Sequence, residues 1–259
     1  MLSRRAIIKA SLGLCGCSIC GALGRTGGAT TARAAEPGSV AGQGYVLRFI
    51  GSQRDTIMHG KVAAAVDLRT LAATRHLYAI GPIEQLRGEI TIIDSRPALA
   101  RVAADGAVKV AESFEAGAPF LVWAEVPAWR TIPIPAEVRT SRDLEAFVPR
   151  AAAAAGLAPE RPLPFLIQGS NDRIDFHILN RIGDEPHDAE KHKQIQVPFA
   201  LKRVEAIVVG FYSQSHRGIF TTMDSAIHIH FQTPDNGASG HIQDLEIAAG
   251  AMLSLPRET

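Results

Sequence analysis

Three of the chain's nine histidines stand between positions 228 and 241, in the stretch AIHIHFQTPDNGASGHIQD. On a β-strand successive side chains alternate faces, so His228 and His230 project from one side. Ile227, Ile229 and Phe231 project from the other and read as core. The segment TPDNGASG has the composition of a turn, and a hairpin through it sets His241 beside His230 on the neighbouring strand. Directly opposed residues have Cβ atoms about 4.5–5.5 Å apart, which lets three imidazoles converge on one divalent ion with zinc–nitrogen bonds of about 2.0–2.1 Å. Structural zinc is closed by four protein ligands; three leave a position open, the mark of a catalytic site. Two histidines spaced by one residue are a weak signal alone, since many histidines satisfy only local hydrogen bonds. The third, across the hairpin, gives the cluster its weight. The remaining histidines carry less. His187 and His192 lie in a charged stretch and His216 in a polar one, and all three read as solvated. His59 and His76 have no evident partners. His177, at the centre of a strand, reads as a packed residue that could face the same cavity.

The elements that must position the cluster are mostly strands. YVLRFI, APFLVWAEV, LPFLIQGS, RIDFHILN, VPFALKRVEAIVVGFYS and AIHIHFQT are rich in β-branched and aromatic residues. LYAIGPIEQLRGEITIIDSRPALARV reads as strand, turn, strand, turn, strand, punctuated at Gly81-Pro82 and Arg87-Gly88. TIMHGKVAAAVDLRTLAA reads as helical from its alanine content, with Asp67 capping a short second helix within it. TSRDLEAFVPRAAAAAGL reads as a helix capped by Ser141 and ending near Gly156. Residues 181–194 read as an exposed loop. Strands with about three interspersed helices imply an α+β fold of mixed or antiparallel sheets, in two lobes. A glycine-rich phosphate loop and a dinucleotide fingerprint are both missing from the sequence.

The first residues read as a leader. Ser3-Arg4-Arg5-Ala6-Ile7-Ile8-Lys9 resembles a twin-arginine export motif, and Ala32-Arg33-Ala34 is an A-x-A cleavage site. The division expected is a signal over residues 1–34 and a domain over 35–259, exported to the periplasm or beyond. Lipid attachment at Cys17 is the lesser alternative. All three cysteines (Cys15, Cys17, Cys20) fall in the leader, so the mature chain has neither disulfides nor thiolate ligands and must be stabilised by its core. Setting aside Arg4, Arg5, Lys9, Arg25 and Arg33 leaves 22 basic against 26 acidic residues, a net charge of −4 where the full chain has +1. A mildly acidic surface argues against nucleic acid as partner. Nothing basic and amphipathic points to a membrane once the signal is removed.

The residues from Gly210 onward match a pattern. Gly210-Phe211, Gly218, His228 and His230, Gly240-His241 and Asp244 resemble the metal-binding half of the acetolactate decarboxylases. Leu86, Gly88 and Glu89 are similar to a second motif of that family, and the likeness runs from about Val46 to about Pro256. The resemblance implies His228, His230 and His241 as Zn2+ ligands and Glu89 as an acidic residue near the metal. It implies an arginine ahead of the metal strands, for which Arg181 is the nearest candidate in a divergent region. It further implies a homodimer. Pro82 stands where typical members carry threonine, and the longer tail of many members, with its further glutamate, has no counterpart after Leu255-Pro256.

The activity so implied is decarboxylation of acetolactate, a 2-hydroxy-3-keto acid, to acetoin and carbon dioxide. Chelation by zinc through the hydroxyl and keto oxygens would polarise the carbonyl that receives the electron pair. Glu89 is the candidate proton donor, and Arg181 the candidate holder of the substrate carboxylate. Two other readings stay open. Cupin-like metal oxygenases also use paired histidines on a strand, though they commonly add a glutamate a few residues later, where this chain has Asp235 in a turn. The other is a non-catalytic exported protein that binds metal or ligand on the same scaffold.

Overall fold

The computed structural model describes residues 36–258; the export motif, the cleavage site and the three cysteines lie outside the described residues. In the N-terminal half the strands are β1 (Gly38–Gly42), β2 (Tyr45–Ile50), β3 (Val66–Asp67), β4 (Leu77–Pro82), β5 (Glu89–Ile93), β6 (Arg96–Val102), β7 (Val108–Ala111), β8 (Gly117–Ala118) and β9 (Leu121–Glu125), with helix α1 (Gln53–His59) after β2. The C-terminal half holds β10 (Trp129–Pro133), α2 (Ser141–Ala154), β11 (Leu163–Leu179), α3 (Ala189–Gln194), β12 (Gln196–Tyr212), β13 (Ile227–Gln232), β14 (Ser239–Ile247) and β15 (Met252–Pro256). The fold is α+β.

The first half builds a seven-stranded sheet in the order β1-β2-β9-β4-β5-β6-β7. The second builds a six-stranded sheet in the order β10-β15-β11-β12-β13-β14, and β14 returns to pair with β11. Four strands thereby close on themselves. Every pairing between the strands of these two sheets is antiparallel. The expected two lobes are instead two sheets over a shared core: Tyr78, Ile80 and Val122 of the first belong to one apolar cluster with Phe165, Phe176, Phe211 and Phe231 of the second. The reason is visible in β5. Ile90 and Ile92 are buried in a separate cluster with Leu77 and Leu121, so strand alternation turns Glu89 and Thr91 the other way, towards β13 and β14.

Several local expectations are corrected. The alanine-rich stretch after His59 is not helical. Helix α1 starts at Gln53, where Ser52 Oγ accepts from Asp55 N, and Gly60 stops it in the left-handed conformation (φ 63°, ψ 24°). Asp67 does cap a short second helix, a 3₁₀ turn over Leu68–Leu71. Helix α2 is capped by Thr140, not Ser141: Thr140 Oγ1 accepts from Asp143 N, and the Asp143 carboxylate accepts from Thr140 N. LPFLIQGS and RIDFHILN are one continuous strand, β11. Its Gly169-Ser170 reads as a break in sequence, but the strand continues through it, with Gly169 at φ 131° and a register shift between Asn171 and Arg173 against β14. Residues 181–194 are not a plain exposed loop, since they contain α3, capped by Asp188, and bury Arg181 and His187.

Gly210 shows why one motif glycine must be glycine. It pairs with Ile229, between the two histidines of β13, and a Cβ there would lie 2.3 Å from the Phe165 ring and 2.7 Å from Ile229 Cγ2. Both neighbours are fixed in the core. Gly210→Ala is expected to destabilise the protein by about 1–3 kcal/mol, the usual cost of overpacking. Denaturant unfolding checks this, and an unchanged midpoint would show that the sheet yields there freely.

Candidate metal centre

His228 and His230 sit two apart on β13, and His241 on β14 is the direct cross-strand partner of His230. Their ring nitrogens converge. His228 Nε2 lies 3.1 Å from His241 Nδ1 and 3.2 Å from His230 Nε2, and the three candidate donor atoms all fall within 4.8 Å of one another. His228 and His230 are buried and His241 is partly buried. The loop leading into β13 is held by Glu145 of α2, which accepts from Ser225 Oγ, from Ala226 N and from Arg217. Gly240, immediately before His241, lets β14 approach Phe176, whose ring would lie 2.7 Å from an added Cβ.

Hydrogen bonds decide which ring nitrogens are free. His228 Nδ1 stands 2.8 Å from the Phe220 carbonyl. A carbonyl only accepts, so Nδ1 carries the proton and Nε2 presents a lone pair. His230 Nδ1 stands 3.1 Å from Thr91 Oγ1, which itself accepts from Ser239 Oγ at 2.9 Å. The His230 ring also bonds the Ile90 backbone in the sense that favours its protonation. In the tautomer that carries the His230 proton on the outer nitrogen, two Nε2 lone pairs face each other. In apolar surroundings they repel unless a cation lies among them. A tetrahedral ion with metal–nitrogen bonds of about 2.0–2.1 Å sets its ligand atoms about 3.3 Å apart, close to the spacings found. Thr91 and Ser239, behind the ligand ring, are the kind of outer partners that orient metal-binding histidines.

Electrostatics point the same way. Burial lowers the His228 pKa to about 4, with the Phe220 carbonyl opposing in part. His230 and His241 are pushed well below the usual imidazole value, by burial first and then by neighbouring imidazoles. The neutral ring is the form that ligates metal. The residues present therefore fit a divalent cation.

Glu89 and His177 complete the surroundings. Glu89, at the start of β5, is 2 % exposed and accepts a hydrogen bond from Leu179 N at 3.3 Å. Its two carboxylate oxygens lie 3.9 Å from His230 Nε2 and 3.9 Å from His177 Nε2. Burial raises the Glu89 pKa well above the ordinary carboxylate value, with the Leu179 N–H opposing in part. His177, on β11, pairs with His241 across the β11–β14 ladder and stacks on it with ring centroids 4.6 Å apart. Burial takes its pKa down to about 3. A cavity of about 740 Å³ opens onto Glu89, His177, His228 and His241, with Pro82 and Phe120 in its wall.

Arg181 is not brought to this cavity. It lies two residues beyond the end of β11, where its guanidinium bonds Gln85 Oε1 at 2.9 Å and the Glu185 carbonyl at 2.5 Å. Those acceptors satisfy it away from the cavity wall. His187 and His192, read from sequence as solvated, are instead buried and partly buried. His187 is buried, its Nε2 lies 3.2 Å from His192 Nδ1, and His192 lines the cavity. Thr91 was not singled out in the sequence. Its one signal is a spacing of two from Glu89 on a strand.

The sequence profile of the alpha-acetolactate decarboxylase family matches residues 49–255. Among solved structures the chain is similar to a Staphylococcus aureus protein of unknown function described as similar to alpha-acetolactate decarboxylase. That likeness has a TM-score of 0.68 and 15 % identity, and covers 82 % of this chain and 86 % of the other. It is also similar to the alpha-acetolactate decarboxylase of Bacillus subtilis strain 168, with a TM-score of 0.63, 15 % identity and coverage of 81 % and 84 %. The acetolactate decarboxylase of Bacillus subtilis subspecies spizizenii gives 0.63, 15 %, 82 % and 85 %. At such identities the structural likeness concerns the fold. No curated protein matches the chain.

Proposed function

The chain belongs to the alpha-acetolactate decarboxylase family, and on that premise we propose that it is a zinc-dependent carboxy-lyase. Its substrate is acetolactate or a similar 2-hydroxy-3-keto acid, which it converts to acetoin, or the corresponding hydroxyketone, and carbon dioxide. The observation that carries this reading is the convergence of His228, His230 and His241, with the proton of His228 committed to Phe220 and its lone pair turned inward. Three neutral imidazoles suit zinc and leave a position open to substrate. Zinc held there supplies Lewis acidity to the ketone beside the departing carboxylate.

The chain's own residues supply the rest. Loss of carbon dioxide leaves an electron pair that the neighbouring carbonyl absorbs, and one proton must then be added to carbon. Glu89 is the group that holds it: burial raises its pKa and so favours the protonated carboxyl, and a zinc ion nearby would lower that tendency. Phe120, its ring 6.3 Å from that of His228, and Pro82, paired with Glu89, make that part of the cavity wall apolar. Arg181, tied to Gln85 and Glu185, takes a structural part.

The leader reading supports export of residues 35–259 after cleavage behind Ala34 or Ala35. N-terminal sequencing of the extracytoplasmic protein should begin at Ala35 or Glu36. Uncleaved protein confined to the cytoplasm would overturn this.

The activity is tested by giving racemic acetolactate to purified zinc-loaded protein and following acetoin and carbon dioxide. Zinc at one per chain without turnover would leave a metal-binding protein on this scaffold, and iron with oxygen consumption would favour an oxygenase. His230→Ala is expected to lose the metal, checked by elemental analysis; full occupancy in that variant would remove His230 from the ligand set. Glu89→Gln is expected to keep zinc and slow turnover by about a hundredfold or more, the low end for a lost general acid. Near-wild-type rates would take Glu89 out of the chemistry.

A further inference from the structure

His177 is 5 % exposed, and among the described residues its Nδ1 has no hydrogen-bond partner. Its Nε2 stands 3.9 Å from Glu89 Oε1, beyond hydrogen-bond reach. This contrasts with His228, whose Nδ1–H is anchored on a carbonyl. With no such anchor, the enclosed Nδ1 of His177 is better left as a bare lone pair than as an orphaned N–H, since buried unpaired N–H groups are the rarer kind. The proton then sits on Nε2, on the side of Glu89 and the cavity that both residues line. His177 thus presents its Nε2–H to the cavity with no acceptor within hydrogen-bond reach among the described residues, and its ring stacks on that of His241.

We propose that His177 is a substrate-contacting residue whose Nε2–H donates to a carboxylate oxygen of the 2-hydroxy-3-keto acid. The proposal rests on the function argued above. If the hydroxyl and keto oxygens face the metal, the carboxylate is the polar group left to find a partner on the protein. With Glu89 protonated, a carboxylate oxygen about 2.8 Å from both His177 Nε2 and Glu89 Oε1 fits across their 3.9 Å separation as the apex of a triangle, accepting from each. The guanidinium of Arg181 is engaged elsewhere. The other cations in the cavity wall, Arg142 and Lys193, are exposed side chains. A neutral donor also suits a group that must leave uncharged, because a full cation would favour the bound carboxylate over the departing carbon dioxide.

The test uses zinc-loaded wild type, His177→Ala and His177→Gln, with calorimetric titration of 2,3-dihydroxy-2-methylbutanoate. This is acetolactate with its ketone reduced, so it keeps the carboxylate but cannot lose it by the same route. His177→Ala should retain one zinc per chain and bind the analogue tenfold or more weakly, and His177→Gln should recover part of that loss. The KM for acetolactate should rise in the alanine variant more than kcat falls. Unchanged binding in His177→Ala overturns the proposal, as does a wild type that fails to bind the analogue. Zinc loss in both variants also overturns it, by making His177 a support for His241. A wild type that binds the analogue without turning over acetolactate sinks the decarboxylase reading alone, and the binding comparison still decides the role of His177.

Discussion

The site depends on lone pairs of neutral imidazoles facing one another across the seam between β13 and β14. His228 Nε2, its proton held on Nδ1 by the Phe220 carbonyl, lies 3.1 Å from His241 Nδ1 across the seam and 3.2 Å from His230 Nε2 on its own strand, an arrangement that a shared cation suits. Burial strengthens the effect. It lowers the pKa of all three rings and so favours the uncharged form that ligates metal. The Phe220 carbonyl and the Thr91–Ser239 pair fix the rings from behind.

Much of the remaining architecture serves to bring other groups to that seam. The first sheet delivers Glu89 and Thr91 through the alternation of one strand, whose other face is locked into a core by Ile90 and Ile92. A one-residue slip of β5 would exchange the two faces and remove both polar groups from the site at once. Because β14 also pairs with β11, His177 is pressed onto His241. Closing four strands on themselves makes the site stiff, and the close approach at Gly210 and Gly240 leaves no room for side chains there.

The family motifs acquire physical content in this frame. Gly210 stands where the Phe165 ring crosses the strand, and Gly240 where Phe176 meets β14. Pro82, in the place of a more usual threonine, lines the cavity with an apolar ring. Arg181, the nearest candidate for the arginine expected ahead of the metal strands, lies beyond the end of β11, where its guanidinium is engaged by Gln85, just before β5, and by the Glu185 carbonyl of its own loop. A shift of one residue in an irregular segment is enough to redirect a side chain, because no strand ladder fixes its direction.

What could be read from the residues alone was local and periodic. The strands, the turn between β13 and β14, the common face of His228 and His230, and the pairing of His230 with His241 follow from alternation and hairpin closure, which act over a few positions. Compositional signals are weaker where one residue overrides its neighbours: Gly60 ends a helix that the alanine content after it would extend, and Thr140 with Asp143 takes the cap from Ser141. The tertiary structure alone decided the burial of Glu89, the position of Thr91 behind His230, the stacking of His177 on His241 and the loss of Arg181 from the cavity. Each depends on contacts between segments far apart in the chain, and side-chain periodicity carries no information about which distant strand will lie alongside.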